Sequence, residues 1–206
     1  MSEISTAKKR YVFWSLLLGL IAFLISGAMA CVTILLFDNY ILATIIAGGI
    51  GGLLLGIFLR QRQKIVRMAI AGIIGMPIGL LISFLLVKGF GSLFPSIGTY
   101  FENSAIPDIS AIVLMGIIFG AVFGAMNYGR KSIWLFSVVC GIVSIPFGLL
   151  VGAMNSEHWI KAWLENLFKI FGEIDLNFLS ITIALGIGTG LSMGIYKMWK
   201  EHGNAQ

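Results

Sequence analysis

Charge is the scarcest property of this 206-residue chain: Asp, Glu, Lys and Arg make up 11% of it, while 58% is hydrophobic. A soluble domain carries about 25% charged residues, and a water-exposed surface as poor in charge as this one would form large apolar patches. That shortage excludes a soluble enzyme, a nucleic-acid-binding domain and a disordered tail. Only two cysteines are present, Cys31 and Cys140, near opposite ends of different apolar runs, so no disulfide is expected. The two histidines, His158 and His202, fall on opposite sides of the membrane topology derived below and cannot share a metal. No H-E-x-x-H or Walker A loop occurs. The expectation is a non-enzyme with no catalytic residue, cofactor or metal.

Long apolar runs are what the chain does have, and its mean hydropathy is +0.98. A spanning helix needs about 20 mostly apolar residues to cross a hydrocarbon core roughly 30 Å thick. Six stretches qualify: 11–37, 40–59, 65–87, 109–128, 132–153 and 176–197. Their only Asp, Glu, Lys or Arg residues are Arg67 and Lys197, near span ends where long side chains snorkel to the headgroups. Strands of a membrane barrel would alternate apolar and polar residues; these runs do not. The first run follows Lys8, Lys9 and Arg10, and Ala28-Met29-Ala30 matches a signal-cleavage pattern, but the run is longer than a signal peptide's apolar core.

Eleven of the 14 basic residues gather on one side of this topology: at the N-terminus, in the second-to-third and fourth-to-fifth connections, and at the C-terminus. Seven of the nine acidic residues lie on the other. Positive charge stays cytoplasmic, so a multi-pass protein of the cell membrane with both termini in the cytoplasm is expected. The net charge of +5 then addresses the anionic inner leaflet rather than nucleic acid.

The chain also repeats itself. Gly48, Gly52 and Gly56 in the second span recur as Gly116, Gly120 and Gly124 in the fourth, offset by 68, and as Gly186, Gly190 and Gly194 in the sixth, offset by 70 more. In the odd spans, Pro77-Ile78-Gly79-Leu80-Leu81 aligns with Pro146-Phe147-Gly148-Leu149-Leu150 at an offset of 69, while Gly19 marks the first span more loosely. The fold class expected is an all-α polytopic membrane protein. It forms one transmembrane domain over 1–206, with six helices as three helical-hairpin repeats (about 8–60, 61–129 and 130–200) in a pseudo-threefold arrangement. An even number of spans per repeat makes the copies parallel about an axis along the membrane normal.

Glycine every fourth residue makes a groove in which helix backbones approach closely. The nine stripe glycines are therefore expected to pack helices, either within the chain or against a second copy or partner subunit. Pro77 and Pro146 each free the carbonyl four residues earlier, at Ile73 and Ile142. These four residues are expected to form a hinge or to line a polar path. Between the fifth and sixth spans, acidic and basic residues alternate every four positions opposite Trp159, Trp163 and Phe168, which predicts an interfacial helix anchored at headgroup depth. The connection after the third span is a weaker version of it.

In size and span number the chain resembles the substrate-binding S components of energy-coupling vitamin transporters, with Ala22, Ser26 and Ala30 spaced as their helix contacts are. Triplicated hairpins with prolines in odd helices are similar to mitochondrial carriers. The threefold repeat departs from the first family and the absence of charge after Pro77 from the second, so the chain is assigned to neither. The functional expectation is a transport-related protein: a channel, facilitator or substrate-binding membrane subunit for a small neutral or weakly polar solute, without energy coupling of its own. The alternative is a non-transporting accessory subunit that packs against other membrane proteins through its glycine stripes.

Overall fold

A computed structural model describes residues 2–93, 106–156 and 175–203. They form six long helices: α1 (Ser2–Phe37), α2 (Tyr40–Phe58), α3 (Ile65–Leu93), α4 (Ile106–Tyr128), α5 (Ile133–Ser156) and α6 (Leu176–Gly203). Single turns of 3₁₀-helix, Arg62–Lys64 and Arg130–Ser132, lead into α3 and α5. All six are long and apolar enough to cross a membrane. Large apolar side chains such as Leu36, Phe84, Leu85 and Trp134 face outward along them, a surface that suits a bilayer and not water. The expected interfacial anchors Trp159, Trp163 and Phe168 lie outside the described residues.

Each helix packs against its neighbours in sequence, and α6 returns to α1, so the six close a ring. The glycine stripes sit at three of these contacts. A Cβ on Gly48 would fall on the carbonyl oxygen of Gly72, and one on Gly52 on that of Met68. On α4, Gly120 faces the carbonyl of Phe136, and Gly116 faces Ser144 and the carbonyl of Cys140. On α6, Gly186 and Gly190 meet the carbonyls of Gly19 and Ser15 of α1. Gly56, Gly124 and Gly194 end the three stripes against Ile65, Phe136 and Val12. All nine are buried. The stripes thus join each even helix to the next odd helix rather than to its hairpin partner. In this register Gly72 corresponds to Cys140, one residue away from the Gly72–Gly141 match that the sequence offers.

The helices are not equivalent. In α6, 72% of the most apolar stretch is buried, against 33–44% in the other five. It is also the least apolar of the six, and it touches α4 as well as its two ring neighbours. The helix least suited to lipid occupies the interior. Its Thr182, Thr189 and Ser192 hydroxyls donate to Leu179, Leu185 and Gly188 carbonyls of the same helix, so these three hydroxyls are satisfied within the apolar core. Ser15, Thr33, Thr44 and Ser83 do the same in α1, α2 and α3.

Aromatic and methionine side chains pack inside the ring. Phe23 meets Phe119 edge-on with centroids 5.9 Å apart, and Phe119, Phe123 and Phe136 continue the contact. Met68, Met76, Met115 and Met193 pack around them. At the acidic end, the Tyr40 hydroxyl lies 3.2 Å from the Asp175 carboxylate, and Asn155 donates to Asp108 at 2.8 Å. Asp175 also caps α6 by accepting from the Phe178 N–H, as Asn39 caps α2 through Leu42.

Overpacking a close contact costs about 1–3 kcal/mol. Gly52→Ala and Gly190→Ala should each lower the unfolding free energy in detergent by that amount. Gly89→Ala, where a Cβ meets no atom of the described residues within 4 Å, should leave it unchanged or raise it slightly. Equal losses at all three positions would show that the stripe contacts do not hold the bundle.

Candidate functional site

The residues singled out in the sequence do not converge on one place. The stripe glycines are spread over three helix contacts. Pro77 is half-buried and Pro146 exposed, and Ile73 and Ile142 are 40% and 61% exposed. These four positions face away from the packed centre. A hinge remains compatible with that placement, whereas a path through the middle of the bundle gains no support from it.

A different cluster forms at the basic end, where α2 turns into α3 and where α4 and α6 finish. The C-terminus of α2 is a Schellman turn: the Arg60 N–H donates to Ile57 O and the Gln61 N–H to Gly56 O, both at 2.9 Å. Arg60 holds the left-handed conformation, φ 55°, that glycine usually takes at this position. The reversal brings Gln61 against α4, where its amide nitrogen and oxygen lie 3.1 and 3.2 Å from the Tyr128 hydroxyl. Lys64 follows one 3₁₀ turn later, with its ammonium 4.0 Å above the centre of the Tyr128 ring. That ring stacks on Phe136 at 5.2 Å and tilts against Tyr196 of α6 at 4.8 Å. The aromatic packing of the interior therefore runs without a break to the rim of this end.

Around Tyr128 the helix ends line an open recess of about 460 Å³. Lys64 and Arg67 approach it from α3 and its lead-in turn, Met126 and Asn127 from α4, and Met193, Tyr196, Lys197 and Lys200 from α6. Lys64 and Arg67, like Lys197 and Lys200, are three residues apart, the spacing that places two helical side chains on one face. Among the described residues no carboxylate lines the recess. Lys197 is seated by a second cation–π contact, 3.8 Å above the Tyr11 ring. Asn127 is buried; it donates to the Phe123 carbonyl at 2.9 Å, while its amide oxygen has no donor among the described residues. Such an arrangement attracts anions. Among the described residues no group of His, Cys, Asp or Glu is placed to hold a metal.

These cations enter a sequence reading as determinants of topology and nothing more. The signal that could have marked them is the pair of three-residue spacings beside tyrosines; their meeting depends on how α3, α4 and α6 pack. No protein-family model, curated protein or solved structure matches the chain.

Tyr128 is the residue on which the rim depends. Tyr128→Phe should cost about 1 kcal/mol of stability, one net hydrogen bond, whereas Tyr128→Ala should cost about 3 kcal/mol or more because the stacked ring is removed. Chemical unfolding in detergent measures both. In the same assay Arg60→Gly should stabilise the protein by about 1 kcal/mol, since it relieves a non-glycine residue at positive φ.

Proposed function

We propose that this protein is a transport-related membrane subunit that binds a small solute in the basic-end recess and passes it on without an energy source of its own. The recess is the observation that carries this reading. Its volume falls in the range of small-molecule sites, about 300–1,000 Å³, and it ends on the packed aromatic interior rather than on an open channel. Binding from one side with the far side sealed is the geometry a facilitator needs in one of its states. Pro77 and Pro146, inside continuous helices, are the hinges proposed to relay an opening.

In this reading the basic end is cytoplasmic, because that is where positive charge is retained. The three hairpins 8–60, 61–129 and 130–200 are proposed as repeats about a pseudo-threefold axis. Support comes from the equivalent carbonyls met by Gly48, Gly116 and Gly186; the inward position of α6 departs from strict equivalence. The accessory-subunit reading needs glycine stripes available to another protein. All nine are occupied by contacts within the chain, which favours the transport reading over it.

Purification and reconstitution test the choice. The expected result is a chain monodisperse by itself that accelerates solute entry into liposomes; a chain that aggregates unless a second membrane protein is present would reverse it. Orientation is checked separately in intact cells with a membrane-impermeant maleimide. Cysteine introduced at Asn39 should be labelled from outside and cysteine at Lys131 only after permeabilisation, over a silent background, because Cys31 and Cys140 are buried.

A further inference from the structure

Four cations converge on the recess, and among the described residues no carboxylate lines it to neutralise their charge. Of the acidic side chains described, Asp38 and Asp108 begin or precede helices at the opposite end, and Asp175 caps α6 there. We propose that the recess binds the phosphate group of a small organic phosphate, whose organic part lies against Tyr128, Tyr196 and Met193. This deepens the transport reading, and rests on it for the passage of the ligand but not for its binding.

Phosphate fits better than other anions for reasons of charge and shape. A phosphomonoester brings roughly 1.5 to 2 negative charges and three strong acceptor oxygens, enough to engage several cations at once, which a single carboxylate does not. Arg67 offers a planar fork of donors suited to two phosphate oxygens, and the lysines act as point charges. Lys64 and Lys197 are held over tyrosine faces, at 4.0 and 3.8 Å, so they stand at the recess instead of extending freely toward the leaflet. A volume near 460 Å³ exceeds what a bare phosphate fills, and the tyrosine and methionine wall supplies contact for carbon. The neutral solute expected from the sequence gives way here, because that expectation weighed only mid-span positions and these cations occupy the helix ends.

Phosphate of this kind has two sources at a membrane boundary, a soluble ester or the headgroup of a phospholipid, and one experiment separates them. In the first arm the full chain, in nanodiscs of phosphatidylcholine alone, is titrated calorimetrically with glycerol 3-phosphate. In the second, native mass spectrometry measures retention of dioleoylphosphatidic acid against dioleoylphosphatidylcholine from neutral detergent. One equivalent bound in the first arm identifies a soluble ester; selective retention in the second identifies a lipid headgroup. The Lys64→Gln/Lys197→Gln variant should weaken that binding about tenfold or more, the loss expected when charge-assisted hydrogen bonds are removed. Arg130→Gln/Lys131→Gln removes the same charge from the same end outside the recess and should change it less than about twofold. If the double recess variant does not fold, Lys200→Gln, an exposed side chain, should still weaken binding about threefold. The proposal is overturned if neither probe binds the wild-type chain, or if the Arg130/Lys131 variant loses as much as the recess variant. Solute flux in liposomes without phosphate binding overturns this inference and leaves the transport reading; phosphate binding without flux does the reverse.

Discussion

Where two apolar helices meet with no side chain between them, the carbonyl oxygens of one reach the α-carbons of the other, and the fit leaves no room for a methyl group. Contacts of this kind tie α2 to α3, α4 to α5 and α6 to α1. Inside a bilayer, burial from water does not draw helices together, so close packing carries the association. The remaining contacts, α1 with α2, α3 with α4 and α5 with α6, close the ring between these pairs. The sites of Tyr128 and Lys197 follow from it, because each lies one turn past a stripe's last glycine, and Lys64 follows Gly56 across the reversal between α2 and α3.

The asymmetry of the ring has a cause in composition. Three helix pairs built alike would leave every helix equally exposed, yet α6 is drawn inward. It carries Thr182, Thr189 and Ser192 on buried positions together with Gly186, Gly188 and Gly190. Small residues let it approach two neighbours at once, and its hydroxyls, satisfied by its own carbonyls, are better placed among protein than among lipid tails. Gly188, outside the repeated stripe, provides the second close contact, against Cys140 of α5.

The aromatic series from Phe23 through Phe119, Phe123 and Phe136 to Tyr128 and Tyr196 links the packed interior to the basic rim. Rings of this size have few rotatable bonds and bury much apolar area, and two of the four cations at the rim are seated on tyrosine faces.

Much of the architecture was legible in the order of residues alone. The apolar runs mark six helices because a bilayer imposes a length and a composition that few other structures share; the observed helices cover those runs to within a residue, and α1, α3 and α6 extend well beyond them. The four-residue glycine spacing marks a close-packed face for equally local reasons. What faces that stripe is not local: Gly48 could have met α1 as well as α3, and only the assembled ring sets the partner. The same holds for the recess. Lys64, Tyr128 and Lys197 are separated by more than 60 residues each, and their charges read in sequence as topology signals. Their convergence around one concavity comes from the way α3, α4 and α6 end at a common level, because side chains distant in sequence are brought together by packing and by nothing encoded in their neighbours.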